Sequence, residues 1–432
     1  SDHSHPASIY CTDLHQNAGL RQHAYLLSSL LVRVPLNRLP WQEKKIDSSV
    51  SMVAIENNHL VQLPFVEDRF SSRGWLILDS SSVRGKETAP SFMFISFFLH
   101  NTGFHRLKDC VVCQEQLNGA EILAETEIKL GDEIRYIYWI KNSPTFPVKK
   151  VQIEHHQAQH TLKTKLYTVR FNPRNYLDIA ELYLGEGEHR IDFDTIKIRV
   201  VGNILLGMSP LMLDNRNLKT QLLSAHEQSI RSVFELLTHV VVAGVPVMKV
   251  KIQAHIYENK IILLSEIDTP PFVDYTYWDI KLMVTLDGQK DSLMGAYVTP
   301  GGEKLHAGLV DGVLSAEELA FNGKVAATEN QWIFLHHTEK AFQAMLRLHI
   351  DQSQGEIARL FYQDDPYLVN KPEKWRGQSP NFGFLITGLE RAGTSWVGLE
   401  VGFSREALIR EEDRYIQKLN SSMEFTSKAF VP

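Results

Sequence analysis

Cysteine is scarce: Cys11, Cys110 and Cys113 are the three in 432 residues, too few for a disulfide scaffold. An odd count leaves at least one thiol unpaired within the chain. Long apolar runs are missing as well. The longest, Ala24 to Leu36, is broken by Ser28, Ser29 and Arg33, and no run reaches the ~18 apolar residues of a membrane-spanning helix. Charge of one sign is also lacking. The 45 basic and 51 acidic residues leave a net charge of −6, so there is no basic face for unspecific nucleic-acid binding.

Familiar catalytic signatures are incomplete. Gly301-Gly302-Glu303-Lys304 lacks the first glycine of a phosphate-binding loop and the Ser or Thr after its lysine. The stretch Gly393 to Gly398 has the wrong spacing for a nucleophile elbow. No G-x-G-x-x-G follows a strand pattern. In Asp311 to Glu318, which resembles half of a calcium loop, the missing ligand positions fall on Ala307 and Leu309. Ser315 and Glu318 instead form a capping box that opens one short helix.

What is present is the composition of a folded globular chain, 44% hydrophobic and 22% charged. Its dominant pattern is β. Val53 to Leu63 reads as a hairpin turning at Glu56-Asn57-Asn58, because Asn tolerates left-handed turn conformations. Phe92 to Leu99 is a continuous apolar run, as in a strand buried on both faces. Val247 to Ile256 alternates and returns through Glu258-Asn259 into Ile261 to Leu264. Phe342, Ala344, Leu346, Leu348 and Ile350 keep a strict period of two. Helical spacing is found at Ser224 to His239 and at Ser404 to Leu419, the latter capped by Ser404.

These patterns predict an all-β fold, a large β-sandwich or two packed β-sandwich domains, with a C-terminal helix. The turn cluster Asn172-Pro173-Arg174-Asn175 suggests an N-terminal β domain over 1–172, a C-terminal β domain over 173–402 and a helical tail over 403–432.

Four groups of residues have the ingredients of chemistry. Ser1-Asp2-His3 combines an amine, two amides and an imidazole, the donor set of a square-planar copper site. His100, His105, Cys110 and Cys113 are zinc-type ligands, but Cys110 to Cys113 reads as a strand, which points residues three apart to opposite faces. Buried thiols, or a disulfide from Cys11 to one of the pair, are the alternatives. On a strand, Glu154, His156 and His160 share one face and His155 takes the other, so the three are candidate copper or zinc ligands, with His336 and His337 as further donors. Asp268, Asp274 and Asp279, among Tyr275, Tyr277 and Trp278, are candidate catalytic carboxylates beside sugar-stacking rings.

The expected function is therefore an extracytoplasmic β-sandwich protein, periplasmic or secreted, that binds or assembles with a protein or glycan partner, with copper or zinc as its candidate metal. The alternative is a carbohydrate-active enzyme, a polysaccharide hydrolase or lyase on a large β-sandwich.

Overall fold

The structure is a computed structural model. It describes residues 30–39, 46, 48–71, 75–78, 91–99, 102–130, 133–156, 160–171, 178–184, 191–206, 209–212, 218–242, 244–269, 275–286, 293–298, 304–309, 326–327, 332–337, 343–350, 357–361, 381–387, 393–404 and 423–429. The chain divides into two compact units. Unit 1 comprises Ser1–Val151, Gln228–Ile230 and Glu411–Pro432, and unit 2 comprises Gln152–Glu227 and Arg231–Arg410.

Unit 1 contains β1 (Leu30–Pro35), β2 (Val50–Glu56), β3 (His59–Leu63), β4 (Phe65–Ser71), β5 (Ser91–Leu99), β6 (Glu121–Leu130) and β7 (Glu133–Lys141). Unit 2 begins with β8 (Ile153–His156), β9 (Thr161–Thr164), β10 (Tyr167–Phe171), β11 (Asp178–Leu184), β12 (Ile191–Leu206) and β13 (Ser209–Met212). It continues with β14 (Leu218–Glu227), β15 (Arg231–Val242), β16 (Val245–Tyr257), β17 (Lys260–Thr269), β18 (Tyr275–Leu286), β19 (Leu293–Val298) and β20 (Lys304–Leu309). Its last strands are β21 (Ala326–Ala327), β22 (Trp332–His337), β23 (Gln343–Ile350), β24 (Ile357–Phe361), β25 (Asn381–Thr387) and β26 (Gly393–Ser404). Strand β27 (Met423–Ala429) returns to unit 1 and pairs antiparallel with β6.

In unit 1 a three-stranded sheet, β1-β5-β4, faces a five-stranded sheet, β27-β6-β7-β2-β3. Their inner faces interdigitate around Val32, Val34, Met52, Ala54, Ile95, Phe97, Ile137 and Trp139, all buried. Alternation along β2 and β7 sends Val53, Ile55, Tyr138 and Ile140 to the opposite face. There they are covered by Cys113 and Leu117 of the single described helix, α1 (Val111–Leu117). Asn57 and Asn58, at φ 50° and 62°, make the two-residue hairpin turn between β2 and β3 that their sequence predicts.

Unit 2 is the large sandwich. One sheet of ten strands runs β21-β24-β25-β18-β12-β11-β10-β9-β8, with β13 added beside β12. The other, of nine, runs β14-β15-β16-β17-β26-β23-β22-β19-β20. The two sheets touch where the Phe171 and Phe234 rings lie 5.7 Å apart.

Three expectations need correction. Ser224 to His239 is a hairpin, β14 and β15, and not a helix. Val233 and Leu236 are both buried although they point to opposite faces, so the apolar residues lose their period of two and imitate helical spacing. The proposed boundary after Asn172 falls inside unit 2, because β10 and β11 on either side of it are hydrogen-bonded partners. In the tail, Ser404 ends β26 and Met423–Ala429 is a strand. Residues 405–422, which carry the rest of the expected C-terminal helix, and the capping box at Ser315 and Glu318 lie outside the described residues.

Candidate functional site

Among the described residues of unit 2, the hairpin that replaces the expected helix brings a carboxylate, an imidazole and a hydroxyl together. Glu227 ends β14 and Ser232 is the second residue of β15, and the register sets them directly opposite one another. Strand β8, at the edge of the other sheet, places His155 against both. Its Nε2 lies 2.7 Å from Ser232 Oγ, and its Nδ1 lies 3.3 Å from Glu227 Oε1. The imidazole thus shares a hydrogen bond with the Ser232 hydroxyl through Nε2, the tautomer deciding which of the two donates, and turns its other nitrogen toward the Glu227 carboxylate. The result is a relay running hydroxyl, imidazole, carboxylate.

Exposure assigns the roles. Ser232 is 2% exposed and is therefore a support that locks the imidazole. The Glu227 side chain is 62% exposed and that of His155 17%, so the carboxylate is the end of the relay offered to a ligand.

The relay borders a cavity of about 330 Å³, within the size range of small-molecule sites. Leu162, Phe171, Phe234 and Leu236 form its apolar wall. His155, His160, Thr161, His226 and Glu227 are its polar groups, and Leu222 and Ala225 of edge strand β14 complete the lining. His160 occupies a turn at φ 50°, its carbonyl accepting the Phe171 N–H at 3.1 Å, which anchors it against the end of β10. An apolar wall beside a few convergent polar groups is the general form of a small-molecule site.

The predicted metal ligands do not gather. Glu154 and His156 share the exposed face of β8, where Glu154 Oε2 and His156 Nε2 approach to 3.8 Å. His160 lies beyond the end of that strand and lines the cavity with His155, so the expected common face of Glu154, His156 and His160 does not exist. His336 and His337 sit on β22, six strands from β14 in the nine-stranded sheet, and cannot join the cluster. Among the described residues, no three His, Cys, Asp or Glu side chains are arranged to hold a metal ion. His3 lies outside the described residues.

The cysteine expectation also changes. Cys110 caps α1, its sulfur accepting the Cys113 N–H, and the two are joined as a disulfide instead of standing on opposite faces of a strand. A disulfide sulfur is no zinc ligand, and His105 is exposed nearby in the chain without them. Cys11 and His100 lie outside the described residues.

The candidate carboxylates are distributed over a crossover. Asp268 pairs with Lys249 and Thr394 in the nine-stranded sheet, Asp279 pairs with Val201 in the ten-stranded sheet, and Asp274 lies outside the described residues. Sequence reasoning missed Glu227 and Ser232 because a helix from Ser224 to His239 scatters them around its axis. The available signal was the short polar break Gln228-Ser229 between two β-branched or apolar runs.

No protein-family model matches the chain, and no curated protein matches it by sequence. Solved structures do resemble it. An α-mannosidase from Enterococcus faecalis is 8% identical with a TM-score of 0.44, covering 93% of this chain and 44% of its own. The α-N-acetylgalactosaminidase NagBb from Bifidobacterium bifidum is 7% identical with a TM-score of 0.37, covering 60% of this chain and 39% of its own. A GalM/aldose epimerase homologue from C. elegans is 9% identical with a TM-score of 0.32, covering 56% of this chain and 97% of its own. The chain thus spans less than half the length of the two glycosidases it matches.

Proposed function

We propose that this β-sandwich protein is carbohydrate-active and that the unit 2 cavity is its saccharide subsite. One observation supports the reading: a carboxylate beside a half-buried imidazole, itself bonded to a buried hydroxyl, stands next to an apolar wall that includes two aromatic rings. A sugar presents an apolar C–H face and a hydroxyl rim, and this cavity offers a partner to each. Phe171 and Phe234 cover the C–H face, and Glu227 and His160 engage the hydroxyls. A single carboxylate among the described lining residues suits recognition of a sugar, since glycoside hydrolysis generally uses two carboxyl groups. The pocket carries this reading, and structural neighbours at TM-scores under 0.5 do not.

The test is glycan-array screening of the full chain followed by calorimetry with the best ligand. Glu227→Gln and Phe234→Ala are each expected to weaken binding by about tenfold, the loss of one charge-assisted hydrogen bond or of one apolar wall. No glycan bound, or equal affinity in both variants, overturns the proposal. A location outside the cytoplasm belongs to the same reading. Fractionation of the producing cell tests it.

A further inference from the structure

The Cys110–Cys113 pair in unit 1 belongs to neither the cavity nor its relay. We propose that these two cysteines are a redox-active pair, which cycles between disulfide and dithiol in the folded protein by exchange with a dithiol.

The surroundings of the pair fit both redox states. The Asn58 carbonyl oxygen lies 3.6 Å from Cys110 Sγ and 3.4 Å from Cys113 Sγ, within reach of hydrogen bonds from both thiols. A disulfide has no S–H to donate, so that carbonyl gains nothing from the oxidised pair. It receives the thiols of the reduced one. The Cys113 N–H donates to Cys110 Sγ at 3.3 Å, a contact that favours negative charge on that sulfur. The two residues also differ in exposure. Cys110 is 7% exposed and Cys113 is 0%, while Val111 and Val112 between them are 68% and 45% exposed. Cys110, the one of the pair that keeps some exposed surface, is therefore assigned as the cysteine that an arriving thiol attacks. A bridge three residues apart closes a loop too short to hold distant elements together, and chain restraint weakens as the loop shortens.

The exchange balances as follows. A thiolate of the dithiol attacks Cys110 Sγ, the Cys110–Cys113 bond breaks, and Cys113 leaves as a thiolate that takes up a proton. The second thiol of the dithiol, deprotonated, attacks the mixed disulfide and releases Cys110. The dithiol is oxidised to its disulfide, and Cys110 and Cys113 gain two electrons and two protons.

The experiment titrates native full-length protein with ratios of reduced to oxidised dithiothreitol, followed by acid quench, alkylation and peptide mass spectrometry. The expected result is reversible double alkylation at Cys110 and Cys113 with an unchanged far-ultraviolet circular dichroism spectrum. A pair that stays oxidised until urea unfolds unit 1, or that opens but does not close again, overturns the proposal. The single variants give a second reading on access. Cys113→Ser is expected to form a mixed disulfide with Ellman's reagent about tenfold faster than Cys110→Ser, because its remaining cysteine is the one that keeps some exposed surface. Equal or reversed rates refute the assignment of Cys110 as the attacked sulfur. If either variant fails to fold, the wild-type titration decides alone.

Discussion

Replacing Tyr138 by Phe probes the polar centre of unit 1 under α1. The Tyr138 ring is wholly buried on β7, and its hydroxyl makes two contacts at once. It accepts the Leu107 N–H at 2.8 Å and donates to Glu125 Oε2 at 2.8 Å, while Glu125 Oε1 is held by Arg106 Nη2 at 2.6 Å. Tyr138→Phe keeps the ring and deletes both contacts. Leu107 is 2% exposed, so its N–H is left buried without that acceptor, a loss of about 1–3 kcal/mol. Glu125 keeps Arg106 and is 18% exposed, so it recovers water, and its share is about 1 kcal/mol. The sum is roughly 2–4 kcal/mol. Hydrogen exchange followed by mass spectrometry reads this directly. Amides of β7 that exchange only through opening of unit 1 should exchange roughly 30- to 700-fold faster in the variant. Acceleration below about fivefold (under about 1 kcal/mol) would refute the view that this hydroxyl is a structural hub.

Other perturbations follow from single positions. Gly103→Ala places a Cβ 3.0 Å from the Tyr136 carbonyl oxygen at φ +83°, so it should destabilise unit 1 by about 1–3 kcal/mol in urea unfolding, and an unchanged midpoint would contradict the assigned turn. Trp139→Ala removes a wholly buried ring whose Nε1–H donates to Thr126 Oγ1 at 3.2 Å and whose edge meets Phe65. Its expected cost is about 3–5 kcal/mol by the same unfolding assay. Burial raises the phenols of both Tyr138 and Tyr167, and the Tyr167 hydroxyl donates to the Tyr257 and Lys260 carbonyls. The unfolded chain therefore loses these protons first, and the stability they supply is complete below the ordinary tyrosine value near 10. It is lost progressively as pH rises above that value. A melting temperature that falls steeply above about pH 10, and less steeply in Tyr167→Phe, is the expected profile.

Local pattern was sufficient for much of the β architecture. Phe94 to Leu99 form a strand because the run is apolar on both faces, and β5 is indeed central in its sheet with β1 and β4 on either side. The β2–β3 hairpin follows from two asparagines that accept left-handed backbone, and β16–β17 from alternation on either side of Glu258-Asn259. The alternation of β8 likewise put His155 opposite to Glu154 and His156. These features depend on neighbours in sequence, which a sequence contains.

Tertiary structure decided the rest. Strand β15 is buried on both faces, which erased its period, and only its pairing with the exposed edge strand β14 shows that Glu227 faces Ser232. That His155 meets both depends on the edge of one sheet packing over the edge of another, a contact between Ser232 and His155 at a sequence separation of 77. Cys110 and Cys113 read as a strand because Val is β-prone. They form a helical turn instead because Cys113 and Leu117 are needed to cover the face that Val53, Ile55 and Tyr138 expose. In each case the deciding interaction was burial against residues far away in the chain, and burial of that kind overrides local propensity.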